Sequence, residues 1–166
     1  MIGDRILQNF AVYLDGTTLI GETTEVQLPK ITVKAVDYSG AGMSGTIELD
    51  TGKIEKLETS MKLKGIQTIP IGSFGAGSTV PLILRAAIKN SDGTVKKIVI
   101  EMRGLVKEID YGTWNAEDIG ETSVSMTLQY YRFSEDGTDL IIIDPINNIR
   151  NLNGKDQLEG VVSALS

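Results

Sequence analysis

The run from residue 96 to residue 131 constrains this chain more than any other. Lys97-Ile98-Val99-Ile100-Glu101-Met102 alternates and is rich in β-branched side chains, so it reads as a strand. Val106 and Ile109 carry the apolar character past Gly104, and a glycine inside a strand pattern marks a bulge or a close backbone approach. An acidic, glycine-punctuated loop over 110–121 leads into a second strand, Ser123-Val124-Ser125-Met126-Thr127-Leu128-Gln129-Tyr130-Tyr131. That loop is longer than the roughly 2–5 residues a simple hairpin uses. The spacing predicts a β-protein whose decoration sits between its strands.

The remaining segments agree with this. Asn9-Phe10-Ala11-Val12-Tyr13-Leu14 is a short strand closed by Asp15-Gly16, a dipeptide suited to positive φ, and 18–27 reads as the returning strand. Pro29 belongs at a strand end or edge because it cannot donate to a ladder. Residues 31–36 and 46–50 alternate, and the glycine-rich 38–45 between them is permissive. Residues 53–64 fit a helix face or a strand side equally well, with a strand favoured from about Leu57. Residues 66–78 have no clean period. Asn90-Ser91-Asp92-Gly93 marks a hairpin between strands 80–89 and 94–102. After Glu135-Asp136-Gly137, Leu140-Ile141-Ile142-Ile143 is apolar on both faces and reads as a buried strand ended by Asp144-Pro145. Following the Asn153-Gly154 turn, 155–165 is the best helix candidate, with Asp156 as cap and Leu158, Val161, Val162 and Leu165 as its apolar stripe. The expectation is one domain over 1–166, all-β or β-dominated, as a sandwich or barrel.

Composition narrows the chemistry. The chain has 166 residues, 16 basic against 22 acidic, and a net charge of −6. A free-standing nucleic-acid binder normally carries a basic footprint, and the same sign disfavours anionic lipid. With no cysteine and no histidine, Cys/His zinc sites, thiol nucleophiles and Ser-His-Asp arrangements are excluded. No apolar run approaches the roughly 20 residues that span a bilayer, and the first residues lack a signal-peptide pattern. A soluble, non-secreted protein is the expectation.

Three constellations merit weighing. Gly40-Ala41-Gly42-Met43-Ser44-Gly45 matches G-x-G-x-x-G, but β-like Thr46-Ile47-Glu48-Leu49 follows where a dinucleotide site needs a helix. A flexible loop is the better reading, and an adaptable Met43 within it suits a partner contact. Glu108, Asp110, Glu117, Asp118 and Glu121 do not match calcium-loop spacing, so a solvated loop is favoured over a metal site or a catalytic carboxylate pair. Trp114 in that loop reads as an anchor onto the core or a neighbour. Arg103 and Lys107 alternate with Glu101 and Asp110, giving either a solvated, ion-paired sheet face or contacts between subunits.

One ordered series of motifs goes further. It comprises Leu28-Pro29-Lys30-Ile31; Tyr38 with Gly40-Ala41-Gly42-Met43; Met102-Arg103-Gly104-Leu105-Val106-Lys107-Glu108-Ile109-Asp110; and Gln129-Tyr130-Tyr131-Arg132-Phe133. It continues with Asp136-Gly137, Ile143-Asp144-Pro145-Ile146-Asn147 and Asn153-Gly154-Lys155-Asp156-Gln157-Leu158. This series resembles the major tail tube protein of contractile-tailed bacteriophages, including the tube subunit of R-type pyocins, over about residues 9–165. The poorest fit is 67–78, where the family has a short helix and this chain has glycines and Pro70.

The resemblance implies two packed antiparallel sheets with a short helix and a C-terminal helix, assembled as stacked hexameric rings around a lumen. It implies a non-enzymatic virion component, assembled in the host bacterial cytoplasm, without cofactor, metal or catalytic residues. Its partners would be tail sheath, baseplate or initiator proteins, a tail terminator, a tape measure protein in the lumen, and double-stranded DNA in transit only. Neither specific nucleic-acid binding nor membrane binding is expected. The segment 38–56 corresponds to the family's inter-ring contact element. Tyr38, Gly40, Gly42, Met43, Gly45, Asp50, Arg103, Lys107 and Trp114 are the candidate subunit and ring contacts. Tubes of type VI secretion and extracellular contractile injection systems share the fold and are the nearest alternatives. A six-membered ring would carry about −36 charges, so acid facing the lumen would repel DNA phosphates.

Overall fold

A computed structural model describes residues 5–19, 21–75 and 79–166. In chain order the strands are β1 (Ile6–Leu14), β2 (Thr17–Thr18), β3 (Thr23–Gln27), β4 (Val33–Tyr38), β5 (Ile47–Ile54), β6 (Leu57–Lys64), β7 (Val80–Lys89), β8 (Val95–Asp110), β9 (Glu121–Glu135), β10 (Thr138–Asp144), β11 (Ile149–Leu152) and β12 (Lys155–Asp156). A 3₁₀ helix spans Ile69–Ser73, and helix α1 spans Glu159–Leu165.

Ten strands form one antiparallel sheet in the order β12-β11-β10-β9-β8-β7-β1-β2, with β6 and then β3 branching from β9; β4 and β5 form a separate two-stranded sheet. The branch explains how one sheet makes two layers. The second half of β9 pairs with β10, its first half pairs with β6, and β8 runs beside both halves. Val26 of β3 lines the same groove as Leu84 of β7, so the β3-β6-β9 leaf folds back over the β7-β1 leaf. The expected two packed layers are therefore two leaves of one sheet.

Gly104 makes this bend possible. The β8–β9 register slips there, Arg103 opposing Tyr130 and Gly104 opposing Leu128, which leaves Gln129 as an extra residue. A bulge shifts side-chain phase by one. Buried positions on β9 accordingly change from Thr122, Val124, Met126 and Leu128 to Tyr131. A second slip between Val106 and Glu108 moves β8 from even to odd and turns Ile109 toward the core. A Cβ on Gly104 would stand 2.8 Å from Leu128 Cα and closer still to the Thr127 carbonyl oxygen. The core lies between the leaves, with Leu14, Leu63, Met102, Val106 and Val124 almost wholly excluded from solvent. Each such side chain contributes about 1.5–3 kcal/mol.

The hairpins at Asp15-Gly16, residues 90–93, Asp136-Gly137 and Asn153-Gly154 form as the sequence predicts, and so does the strand from Leu57. Four expectations need correction. The segment 18–27 is not one returning strand: Gly21 turns at φ 83°, and β3 leaves β1 to pair with β6. In β10 only Ile143 is fully buried, while Leu140, Ile141 and Ile142 are half-buried. Residues 66–78 contain the 3₁₀ helix, which accommodates Pro70 because its first turn needs no N–H from that residue. The C-terminal helix is shorter than 155–165, because the tight Asn153-Gly154 turn pairs Lys155 and Asp156 with β11 as β12. Asp156 accepts from the N–H groups of Leu158 (3.0 Å) and Arg150 (3.2 Å), so it organises the approach to α1 without capping it.

Candidate functional site

The β4–β5 ribbon is a highly exposed element, all six residues of β4 being open to solvent. Directly opposed residues of an antiparallel pair share a face. Val36 opposes Leu49 and Tyr38 opposes Ile47, so one face carries four large apolar side chains, 43–51% exposed. The other face pairs Asp37 with Glu48 and Ala35 with Asp50. An isolated two-stranded ribbon is marginal in water, and an uncovered apolar face marks an interaction surface.

The tip and stem of the ribbon are shaped locally. At the tip, Met43 donates its N–H to Gly40 O (3.2 Å) and its Sδ accepts from Gly40 N (3.2 Å), with Gly42 at φ 85° closing the turn. Gly45 meets nothing that would exclude a side chain, and strand follows it, so the G-x-G-x-x-G match is not a phosphate cradle. At the stem, Gly52 at φ 81° donates to Asp50 Oδ1 (2.7 Å), and Thr51 donates to Lys34 O. Asp50 Oδ2 also accepts from Arg150 Nη2 at 2.9 Å, a contact between the ribbon and β11. The Arg150 side chain is 8% exposed. Its guanidinium, first, and the Gly52 N–H hold the Asp50 carboxyl below its ordinary value.

The polar face of the β3-β6-β9-β8 leaf is a second surface. Rows across it read Gln27, Ser60, Ser125, Glu108 and Glu25, Lys62, Ser123, Asp110. Lys107 Nζ lies 2.6 Å from Glu58 Oε1, with Lys56 at 3.3 Å from the same oxygen. Lys107, then Lys56, depress the Glu58 carboxyl, the reverse of what a general acid at neutral pH needs. A depression of about 500 Å³ opens here between Gln27, Lys30, Glu55, Glu58, Lys107 and Ser125. Among the described residues no group of three acidic side chains converges as a metal site would require.

The remaining candidates stand apart. Arg103 stacks over Tyr130, 4.2 Å from the ring centre, on the face turned from the core. Trp114 does not anchor to the chain's own core: it is 68% exposed, its Nε1 donating to Tyr111 O at 3.2 Å. Tyr38, Gly40, Gly42, Met43, Gly45 and Asp50 thus share the ribbon, whereas Arg103, Lys107 and Trp114 lie off it, the first two on the outward face of β8. Sequence reasoning missed the apolar Val36–Leu49 pair, whose alternation was legible, and Arg150, for which no local signal exists.

A family model described as Phage tail tube protein FII matches residues 4–165. The chain is 34% identical over 160 residues to the tail tube protein of Escherichia phage P2, covering 93% of each. It is also 34% identical over 161 residues to the major tail tube protein of Serratia phage KSP20, covering 96% of this chain and 94% of that one. Among solved structures it is similar in fold to a chain of an extracellular contractile injection system, the PVC sheath/tube terminator in the extended state. That match has TM-score 0.57 and 12% identity, over 76% of this chain and 93% of the other.

Proposed function

The chain belongs to the phage tail tube protein FII family, and on that premise we propose that it builds the inner tube of a contractile phage tail or phage-like tailocin as stacked hexameric rings around a lumen. Proteins of this family are structural components of the virion, not enzymes.

The observation that carries the ring is a pair of open sheet edges on one leaf. Among the described residues, β3 pairs only with β6, and β8 beyond Val106 pairs only with β9. Unpaired edges invite association, and joining β3 of one copy to the end of β8 in the next satisfies both. Six leaves of four strands then close a barrel of roughly 24 strands, about 45–52 Å across at a strand spacing of about 4.8 Å and a tilt of about 35–45°.

In this arrangement the polar leaf face lines the lumen. It carries Glu25, Glu58, Glu108, Asp110 and Glu121 against Lys62, Lys64 and Lys107, interleaved with serine hydroxyls. The lining is then mildly acidic and internally paired, not the uniformly acidic wall that the net charge suggested. A duplex in transit is repelled weakly and finds no basic track to adhere to. The apolar face of the β4–β5 ribbon supports stacking of one ring on the next. Sheath outside, tape measure protein inside, and initiator and terminator at the two ends complete the assembly, which forms in the host cytoplasm. The relatives at 34% identity are phage tube proteins, whereas the injection-system likeness is one of fold alone, so the phage reading ranks first.

Negative-stain electron microscopy at rising protein concentration, with and without residues 40–52, tests the proposal. Hollow six-fold tubes that vanish on deletion are the expected result. Dispersed monomers at every concentration, even on purified baseplate seeds, would overturn it.

A further inference from the structure

Helix α1 has no buried residue, yet Val161, Val162 and Leu165 form one apolar stripe, 39–73% exposed. Seven residues are too few for a helix to be stable by itself in water, so this stripe calls for a cover. The same chain also holds an unfilled apolar groove of about 240 Å³, lined by Leu7, Phe10, Leu28, Leu84, Ile88 and Phe133. The groove opens between the leaves, lined from β1, β3, β7, β8 and β9, whereas α1 follows β12 at one end of the sheet order.

We propose that α1 of one copy docks into this groove on a second copy. Three observations argue for that occupant. The chain supplies both an apolar ridge and an apolar slot, on different surfaces, which is the arrangement that makes a head-to-tail contact and closes rings. The charges match: Glu159 is the only charged residue of α1, while Lys96 opposes Ile88 on the groove face. The groove is also continuous with β3 through Val26 and Leu28, so a copy joined at the β3 edge lies beside it. The inference rests on the tube reading and deepens it, adding a side-chain lock to the backbone pairing between subunits.

Because the chain has no cysteine, paired cysteines test the contact cleanly. Leu165→Cys with Leu7→Cys in one chain, oxidised in assembled tubes, should give a ladder of covalent multimers on a non-reducing gel. Leu165→Cys with Ile119→Cys, whose second site is exposed and outside the groove lining, should not. A charge swap provides an independent readout: Glu159→Lys should raise the concentration needed for assembly several-fold, and Lys96→Glu in the same chain should restore it. Tubes that assemble normally without cross-links, or cross-links confined within single chains, would overturn the helix–groove contact and leave the tube reading intact. Failure of the unaltered chain to form tubes even on purified baseplate seeds would instead overturn both.

Discussion

Arg150 and Asp50, one hundred residues apart, make the ion pair that ties the β4–β5 ribbon to the main sheet. Nη2 lies 2.9 Å from Oδ2 and Nη1 3.5 Å from Oδ1, a two-pronged contact from an arginine whose side chain is nearly enclosed. Among the described residues no backbone ladder joins the two sheets, so the direction in which the ribbon projects depends on this pair and on packing at its stem. Lysine cannot reproduce the planar fork.

Acid should release the ribbon. The Asp50 carboxyl is held below its ordinary 3.8, chiefly by Arg150, so the folded state binds that proton less readily than the unfolded chain. The stabilisation is present above pH 3.8 and is lost as pH falls through the lower folded value. Glu58, held below 4.5 by Lys107 and Lys56, changes in the same sense. Carboxyl NMR titration should show both groups ionised at pH 5, and Asp50→Asn should remove part of the acid dependence of ribbon hydrogen exchange.

Gly104→Ala should be severe. Its methyl group would meet the Thr127 carbonyl and the Leu128 backbone, neither of which can rotate away. Relief requires moving β8 from β9 at the bend between the leaves, so a loss of about 3 kcal/mol is expected in urea unfolding. Gly45→Ala, with open space around it, should stay within about 0.5 kcal/mol of the parent.

Val36→Lys with Leu49→Glu should separate folding from assembly. Both side chains are exposed on the ribbon's apolar face, so circular dichroism and monomer unfolding should change little. Tube formation, followed by light scattering and microscopy, should be abolished. Leu63→Ala, at a fully enclosed core position, should do the reverse kind of damage, costing about 2–5 kcal/mol of monomer stability.

Trp114→Ala should alter monomer stability by less than about 0.5 kcal/mol, because the ring is mostly in solvent and holds one local hydrogen bond. Quenching of its fluorescence by iodide should fall sharply on assembly if the loop is covered by a neighbour, and stay unchanged if the loop remains in solvent.

Raising pH should unmask Tyr131, whose phenol is pushed up to about 12 by burial. The folded state then holds that proton more tightly than the unfolded chain, so stability present below pH 10 is lost as pH rises toward 12. Tyr131→Phe should flatten this alkaline loss, measured as the midpoint of urea unfolding against pH.

Most strands, their turns and the special position of Gly104 were determined by sequence alone, because alternation and positive-φ residues are local signals that tertiary context did not override here. Local patterns do not encode which strand a strand pairs with, so the departure of β3 from β1 and the branching of one sheet at β9 were decided only in three dimensions. The same holds for the functional surfaces. Val36 and Leu49 alternate like any half-buried strand, and α1 has the stripe of any core-facing helix. Only the absence of a covering layer among the described residues leaves both apolar faces exposed. The Arg150–Asp50 pair is the extreme case: a contact across one hundred residues leaves no trace in sequence, and the topology that brings β11 to the ribbon's stem creates it.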